Sequence, residues 1–385
     1  MSQRFARRTE GISQSEIRRM SRACDLAGAI NLGQGICDQA IDESILAGAG
    51  RALREGHSQY SRFEGIDPLR AGIAAKASAY NRISCDPDTQ IVVTVGSTGA
   101  FALACLSLLD PGDEAVVFSP YYAYHANTIR LCGATPVFVP LALPDWRFRE
   151  EDFRAAITER TRMIVVNTPC NPCGKVFSRG ELEIIGSAAR EAEAIAVTDE
   201  IYEYILFDGN EHVSLASLPG MGDHTITISG FSKTYSMTGW RLGYAIAPTE
   251  ISSRMGLLND LLYVCAPTPL QHAVVEALAL PLPYYGQLAR SYQEKRDLLV
   301  GACRAAGMEP VVPAGAYYFL ADISALGRND DLDAASFLLE KAGVAAVPGS
   351  AFFADPADGR DMLRFCFAKE LPALQRACEG IASLR

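Results

Sequence analysis

Residues 229–244 read S-G-F-S-K-T-Y-S-M-T-G-W-R-L-G-Y, with Lys233 near the centre. The alternating run T-I-T-I-S at 225–229 predicts a strand that delivers the lysine to its end, and Gly230 and Gly239 bracket it with flexible backbone. The segment therefore presents an amine on a loop at a strand end. In a confined site such an amine has two uses. It stays an ammonium that holds an anion, or it loses its proton and attacks a carbonyl as a Schiff-base nucleophile. A solvated surface lysine is the ordinary alternative, so the neighbouring strand ends have to decide.

Outward from this stretch the pattern is regular. Apolar runs recur at 91–95, 115–118, 136–139, 163–166, 194–197, 225–229 and 243–247, most of them separated by segments long enough for a helix, such as 99–109 and 179–193. Continuous apolar strands alternating with helices predict an α/β fold, a mainly parallel seven-stranded sheet with helices on both faces. The longest uncharged stretch, 91–109, approaches the length of a membrane span, but Gly96-Ser97-Thr98-Gly99 breaks it into strand, turn and helix. After Pro281 and Pro283 the pattern turns to helix and then to short strands near 316–323 and 362–367. We therefore expect a large domain over 46–280 and a smaller α+β domain over 281–385, joined by the amino-terminal segment 1–45. In that segment Ser13-x-x-Glu16 reads as a capping box.

With 385 residues, 49% of them hydrophobic, the chain can bury a large core. A formal net charge of −10 speaks against wrapping nucleic acid or an anionic membrane. Arg4, Arg7 and Arg8 are not followed by an apolar stretch, so no secretory signal is expected. Eleven scattered cysteines, an odd number, fit reduced thiols in the cytoplasm better than a disulfide framework. Cys170 and Cys173 form a C-x-x-C with no second pair at zinc-finger spacing, and no metal site is expected.

In open parallel sheets ligands sit beyond the carboxyl ends of the strands. After the first run comes Gly96-Ser97-Thr98-Gly99, where hydroxyls and free N–H groups at a helix start make an anion site or simply cap the helix. The second run leads to Tyr121-Tyr122, rings for packing or for stacking on a flat ligand. Beyond 163–166 lies Asn167-Thr-Pro-Cys-Asn171, in which Asn171 is a turn residue or a ligand contact. The run at 194–197 ends in Asp199 and Tyr202, and an acid at so apolar a strand end needs a cation that the neighbouring sequence does not supply. Lys233 and Arg241 complete the set. One ligand would use them all: pyridoxal phosphate, with a phosphate, a flat ring, a phenolic oxygen, a pyridine nitrogen and an aldehyde.

The stretch S-K-T-Y-S-M-T-G-W-R-L-G-Y, with N-P-C-G before it and R-F-C-F-A after it, resembles the fold-type I, class I/II aminotransferases. Within them it is most similar to the branch holding kynurenine, methionine-type and broad-specificity enzymes, and the likeness runs from I-N-L-G-Q-G to the last helices. The resemblance implies a pyridoxal-phosphate-dependent transaminase with ping-pong kinetics. It implies that Lys233 is the Schiff-base lysine and proton shuttle, that Asp199 pairs with the pyridine nitrogen, and that Tyr202 and Asn171 contact the phenolic oxygen. Tyr122 would stack on the ring, and Ser97, Thr98, Arg241 and Ser232 or Ser229 would hold the phosphate. Arg364 would grip the substrate α-carboxylate beside the Gly35 backbone. Tyr60 would reach into a neighbouring subunit's site, which implies a homodimer with shared active sites.

Three departures from the family pattern bear on these roles. Gly230 stands where the family has a phosphate-side hydroxyl, and Cys37 where it often has proline before Asp38. Relatives that use aspartate tend to carry lysine at the position of Thr98. We therefore expect an amino donor with a neutral side chain, aromatic, sulfur-containing or amide, and a 2-oxo acid acceptor. The alternative within the same cofactor chemistry is a C–S β-lyase acting on cysteine conjugates.

Overall fold

In the computed structural model, residues 6–9 and 15–384 are described. Seven strands form the main sheet: β2 (Ile91–Val95), β3 (Glu114–Ser119), β4 (Thr135–Pro140), β5 (Thr161–Asn167), β6 (Ile195–Asp199), β7 (Thr225–Gly230) and β8 (Leu242–Ile246). Their order is β2-β8-β7-β6-β5-β3-β4, with β8 antiparallel to both neighbours and every other pair parallel. The expected sheet is therefore present, with element ends displaced by one or two residues. The 91–109 stretch divides at Gly96, whose φ of +72° turns β2 into the Gly96–Leu108 helix. No described helix is long and apolar enough to cross a membrane.

The unbroken apolar runs have a simple cause, because both faces of the sheet are covered. Ala115, Val117, Met163 and Val165 pack with Phe101 and Leu103 of the Gly96–Leu108 helix. Their alternate neighbours Val116, Phe118, Ile164 and Val166 pack with Leu182 and Ile185 of the Arg179–Glu191 helix. Period-two alternation thus feeds two cores rather than one core and solvent.

A second, antiparallel sheet has the order β12-β13-β10-β9, with β9 (Glu309–Pro310), β10 (Tyr318–Asp322), β12 (Val347–Pro348) and β13 (Met362–Cys366). Beside it β1 (Ile30–Asn31) pairs in parallel with β11 (Val344–Ala345), and Leu32 accepts from the Cys366 N–H at 2.8 Å. These bonds tie the amino-terminal segment to the carboxy-terminal part. Ser13 of the expected capping box lies outside the described residues. The helix Glu16–Ala27 instead has Ser15 at its N-cap, with no side-chain bond closing it. A full capping box occurs elsewhere, between Ser178 and Glu181.

Between β6 and the Tyr202 turn the sequence D-E-I-Y-E puts its charges on two sides. Glu203 is buried opposite the main cavity, where it meets Lys76 Nζ at 2.5 Å, Asn81 Nδ2 at 2.7 Å and Ser229 Oγ at 2.7 Å. Glu200 accepts from Thr198 and Ser214 hydroxyls and lies 2.7 Å from His212 Nε2. Burial pushes the Glu203 carboxyl up, but the Lys76 ammonium, His212 and the hydrogen bonds outweigh it and hold the group below the usual carboxylate range. Removing one partner of such a pair leaves a buried charge uncompensated. Glu203→Ala is therefore expected to cost about 3–5 kcal/mol in denaturant unfolding, and the double replacement Lys76→Met with Glu203→Leu less. Equal losses in the two variants would contradict the pairing.

Candidate active site

The antiparallel strand β8 organises the centre, because its first residue abuts the end of β7. Gly230 and Gly243 face each other across this pair: a Cβ on Gly230 would lie 2.9 Å from the Gly243 Cα, and one on Gly243 would lie 2.5 Å from the Ser97 nitrogen. That crowding explains why a glycine replaces the family's hydroxyl at position 230. Ser229 does not substitute for it, since its hydroxyl donates to Glu203 on the far side of the sheet. Ser232 does face the cavity.

Lys233 follows β7 and points inward, donating from Nζ to the Gly35 carbonyl at 3.2 Å, with the Tyr317 and Tyr202 ring centres at 5.5 Å and 5.8 Å. Burial pushes its amine below the ordinary lysine value and Arg241 adds to this, against the opposing fields of Cys37, Cys366 and Asp199. Arg241 sits at a φ of +57° and donates from Nη1 to the Thr238 carbonyl at 3.0 Å. It lies against Gly96, where a Cβ would come 2.5 Å from Nη2. Ser97 and Thr98 occupy the first turn of the adjoining helix, whose N-cap, Val95, offers no side-chain acceptor. Helix start, hydroxyls and guanidinium together form a cradle for an anion.

Asp199 ends β6, and the partner that the neighbouring sequence does not supply is a histidine side chain from the helix after β3. His125 Nε2 lies 3.1 Å from Oδ2, while Oδ1 accepts from the Ile201 N–H at 3.3 Å. The sequence reading missed His125, although it stands three residues beyond Tyr122, one helical turn away, and the two rings meet edge to face at 5.4 Å. The Tyr202 hydroxyl lies 3.4 Å from that of Tyr318, another residue not singled out from sequence, and burial pushes both phenols up. Burial raises the Tyr122 phenol likewise.

On the opposite wall Arg364, on β13, donates from Nη1 to Asn171 Oδ1 at 2.8 Å and from Nη2 to the Gly33 carbonyl. Its guanidinium lies 4.3 Å from the Tyr318 ring centre, and its Nε is buried without a partner among the described residues. Asn167 Oδ1 holds the Asn171 N–H at 2.8 Å. Gly35 has no room for a side chain, since a Cβ would lie 1.6 Å from the Tyr318 hydroxyl. Its carbonyl accepts from Lys233 and Tyr317, so a carboxylate would meet its N–H.

Gly35, Ser97, Tyr122, Asp199, Lys233, Arg241 and Arg364 line one cavity of about 420 Å³, to which Arg18, Gln34, Ile36 and Tyr124 also contribute, whereas His125 and Tyr317 lie outside its lining. Of the site residues expected from sequence, two are not in that lining: Tyr60, which is 81% exposed, and Ser229, whose hydroxyl is turned to Glu203.

The family model described as aminotransferase class I and II matches residues 27–381. The chain is 31% identical to kynurenine–oxoglutarate transaminase 3 of Rattus norvegicus, covering 98% of this chain and 90% of that one. It is 34% identical to methionine aminotransferase of Escherichia coli, with 95% and 94% covered. The solved N-succinyldiaminopimelate aminotransferase of Mycobacterium tuberculosis superposes with a TM-score of 0.95 at 34% identity, covering 99% and 100%.

The cavity suits pyridoxal phosphate. Its uncapped helix start beside Arg241 matches a phosphate, the buried Asp199 carboxylate a protonated ring nitrogen, and the buried Lys233 amine an aldehyde. A lowered amine value means that the neutral, nucleophilic form appears at lower pH. Competitive acetylation of the cofactor-free protein, read by mass spectrometry, should give Lys233 a titration midpoint below the ordinary value of about 10.4. Arg241→Ala should move that midpoint upward, because a repelling cation is gone. A midpoint at or above 10.4 for the parent would contradict the burial argument.

Proposed function

The chain belongs to the class I and II aminotransferases, enzymes that depend on pyridoxal phosphate, and from that premise we propose a neutral L-amino acid as its amino donor and Lys233 as its proton carrier. The observation that carries this reading is the meeting, in one cavity, of the desolvated Lys233 amine with the buried Arg364 and its unpartnered Nε. Two relatives are named for kynurenine and methionine, and position 98 is threonine, which brings no charge to the cavity for an acidic side chain. The β-lyase alternative gains nothing from these relatives, which are named as transaminases.

Pyridoxal phosphate, when bound, supplies the aldehyde that takes up the amino group and a ring that accepts the electrons left by the departing α-proton. Around it Ser97, Thr98, Ser232 and Arg241 hold the phosphate. Asp199, backed by His125, keeps a proton on the ring nitrogen. Tyr122 stacks, and Asn171 and Tyr202 donate to the phenolic oxygen. Arg364 and the Gly35 N–H fix the substrate α-carboxylate, which aims the α-hydrogen at Lys233 Nζ. In its neutral form that amine would accept the α-proton at Nζ and carry it as the site's proton shuttle. A second 2-oxo acid reverses the path, which gives ping-pong kinetics.

We further propose a homodimer. Leu257, Leu261, Leu262, Tyr263 and Val264 at the end of the Thr249–Tyr263 helix are exposed, as is Tyr60, and such apolar surface favours a partner. Tyr60 would then enter the partner's cavity. Residues 46–280 would form the cofactor-binding domain and 281–385 with 1–45 the smaller one. The scattered, odd-numbered cysteines favour a cytoplasmic setting.

Adding single amino acids to the holoenzyme without an acceptor should convert its visible, lysine-bound absorbance to the near-ultraviolet form, faster with methionine, glutamine or phenylalanine than with aspartate. A strong preference for aspartate would sink the neutral-donor reading, and pyruvate accumulating from a cysteine conjugate would favour the lyase. Lys233→Ala should abolish turnover, whereas Asp199→Ala should keep some cofactor and lose most of the rate.

A further inference from the structure

The Gly35 carbonyl is where the Lys233 amine rests, and a second group holds the same oxygen from outside the cavity lining. The Tyr317 hydroxyl donates to it at 3.2 Å, the distance at which Lys233 Nζ also donates. Tyr317 is fully buried, and no role in the proposed chemistry falls to it. Its ring centre lies 5.5 Å from Nζ and meets the Tyr202 ring edge to face at 5.0 Å. Cys37 closes the circuit, with Sγ 3.8 Å from the Tyr317 hydroxyl and 3.9 Å from the Lys233 carbonyl. The proline that the family often has at that position would offer no such donor.

The backbone that presents Tyr317 is tightly held. Ala316 has a φ of +59°, a left-handed conformation that a residue with a Cβ seldom adopts unless its surroundings impose it. Here the Ala314 and Gly315 N–H groups donate to the Gly174 carbonyl at 3.0 Å and 2.9 Å, and the Ala316 N–H donates to the Ile205 carbonyl at 2.9 Å. The Tyr317 carbonyl in turn accepts from the Phe367 N–H at 3.1 Å. From this clamped stretch two consecutive tyrosines reach Gly35. A Cβ on Gly35 would come 1.6 Å from the Tyr318 hydroxyl and 3.0 Å from the Tyr317 ring. Strain of this kind clusters at functional positions.

We propose that Tyr317 is a positioning residue for Lys233, fixing the Gly35 carbonyl as the resting point of the amine while it carries the proton; this rests on the proton-carrier reading above. A lysine amine sits on a flexible stem, and among the described residues the Gly35 carbonyl is the hydrogen-bond partner that holds Nζ. A carbonyl oxygen has two lone pairs, so Tyr317 and Lys233 share it, and the phenol keeps it in place when Nζ leaves. The bond also bears on the charge of the amine. An acceptor already engaged by a second donor gives less to an ammonium, which favours the neutral form. The other titratable groups around Nζ are Asp199, Arg241, Cys37, Cys366 and the Tyr202 phenol, and all of them remain when Tyr317 loses its hydroxyl.

Tyr317→Phe keeps the ring and removes the hydroxyl. In the cofactor-free protein, competitive acetylation should show the Lys233 midpoint moving up by about 0.3–1 pH unit, the equivalent of the roughly 2- to 10-fold that one neutral hydrogen bond is worth. In the holoenzyme, kcat with the fastest amino acid should fall by about that factor, with KM changed less than about 2-fold. Tyr292→Phe is the control, because the Tyr292 ring packs on Tyr317 at 5.7 Å while its hydroxyl, equally buried, has no hydrogen-bond partner among the described residues. That variant should leave the midpoint in place and kcat within about 2-fold of the parent. A Tyr317→Phe midpoint that stays or falls, an unchanged kcat, or equal effects of the two variants would overturn the role. Failure of the proton-carrier reading has a separate sign, turnover that survives in Lys233→Ala.

Discussion

A primary amine held out of water without a carboxylate beside it is the constraint around which the molecule is built. Among the described residues Lys233 has no acid within 4 Å, and its Nζ rests on the Gly35 carbonyl. Placing a cation there costs several kcal/mol, which favours the neutral form. The strand that carries it, β7, is buried along its whole length, so the position cannot relax toward solvent. Because Gly35 belongs to the amino-terminal segment, the same contact joins the β7 loop to the chain that pairs with β11.

Rigidity of the acid side comes from the far face of the sheet. Asp199 and Tyr202 turn toward the cavity, whereas Glu200 and Glu203 turn away into a buried network with Lys76, Asn81, His212 and Ser229. Asp199 and Tyr202, which face the cavity, are thus each adjacent in sequence to an anchored carboxylate. Ser229 extends the link to β7 and hence toward Lys233. Glu203 accepts from Lys76, Asn81 and Ser229 at once, and in a low-dielectric setting these converging bonds hold the turn to one geometry.

How much of this was legible in the sequence follows from what a sequence displays. Strand ends are local features, so Ser97, Tyr122, Asp199 and Lys233 could be read from the residues following each apolar run. Lateral neighbours are not local. His125 and Asp199 are 74 residues apart and meet only because β3 and β6 flank β5. Ser229 and Ser232 looked equivalent until the pleat of β7 sent one hydroxyl to Glu203. Gly230 looked like a missing hydroxyl, and only the close approach of β8 shows that nothing larger fits. Arg18 and Gln34 were silent for the same reason: their place depends on the β1–β11 pairing, two residues long and without periodicity to betray it.

The surplus of positive charge in the cavity has an energetic consequence for the fold. Lys233, Arg241, Arg364 and Arg18 line a space of about 420 Å³ in which, among the described residues, Asp199 is the only acid. A surplus of confined cations destabilises the ligand-free chain, and the lowering of the Lys233 value, caused first by burial and aided by Arg241, reduces that surplus. A bound phosphate and carboxylate supply the remainder of the compensation. Binding to the folded state alone then stabilises it by mass action, so occupancy by anions and integrity of the fold are coupled. The proposed chemistry would benefit from the same imbalance, because a site poor in acids favours the neutral form of its lysine while its arginines attract carboxylates.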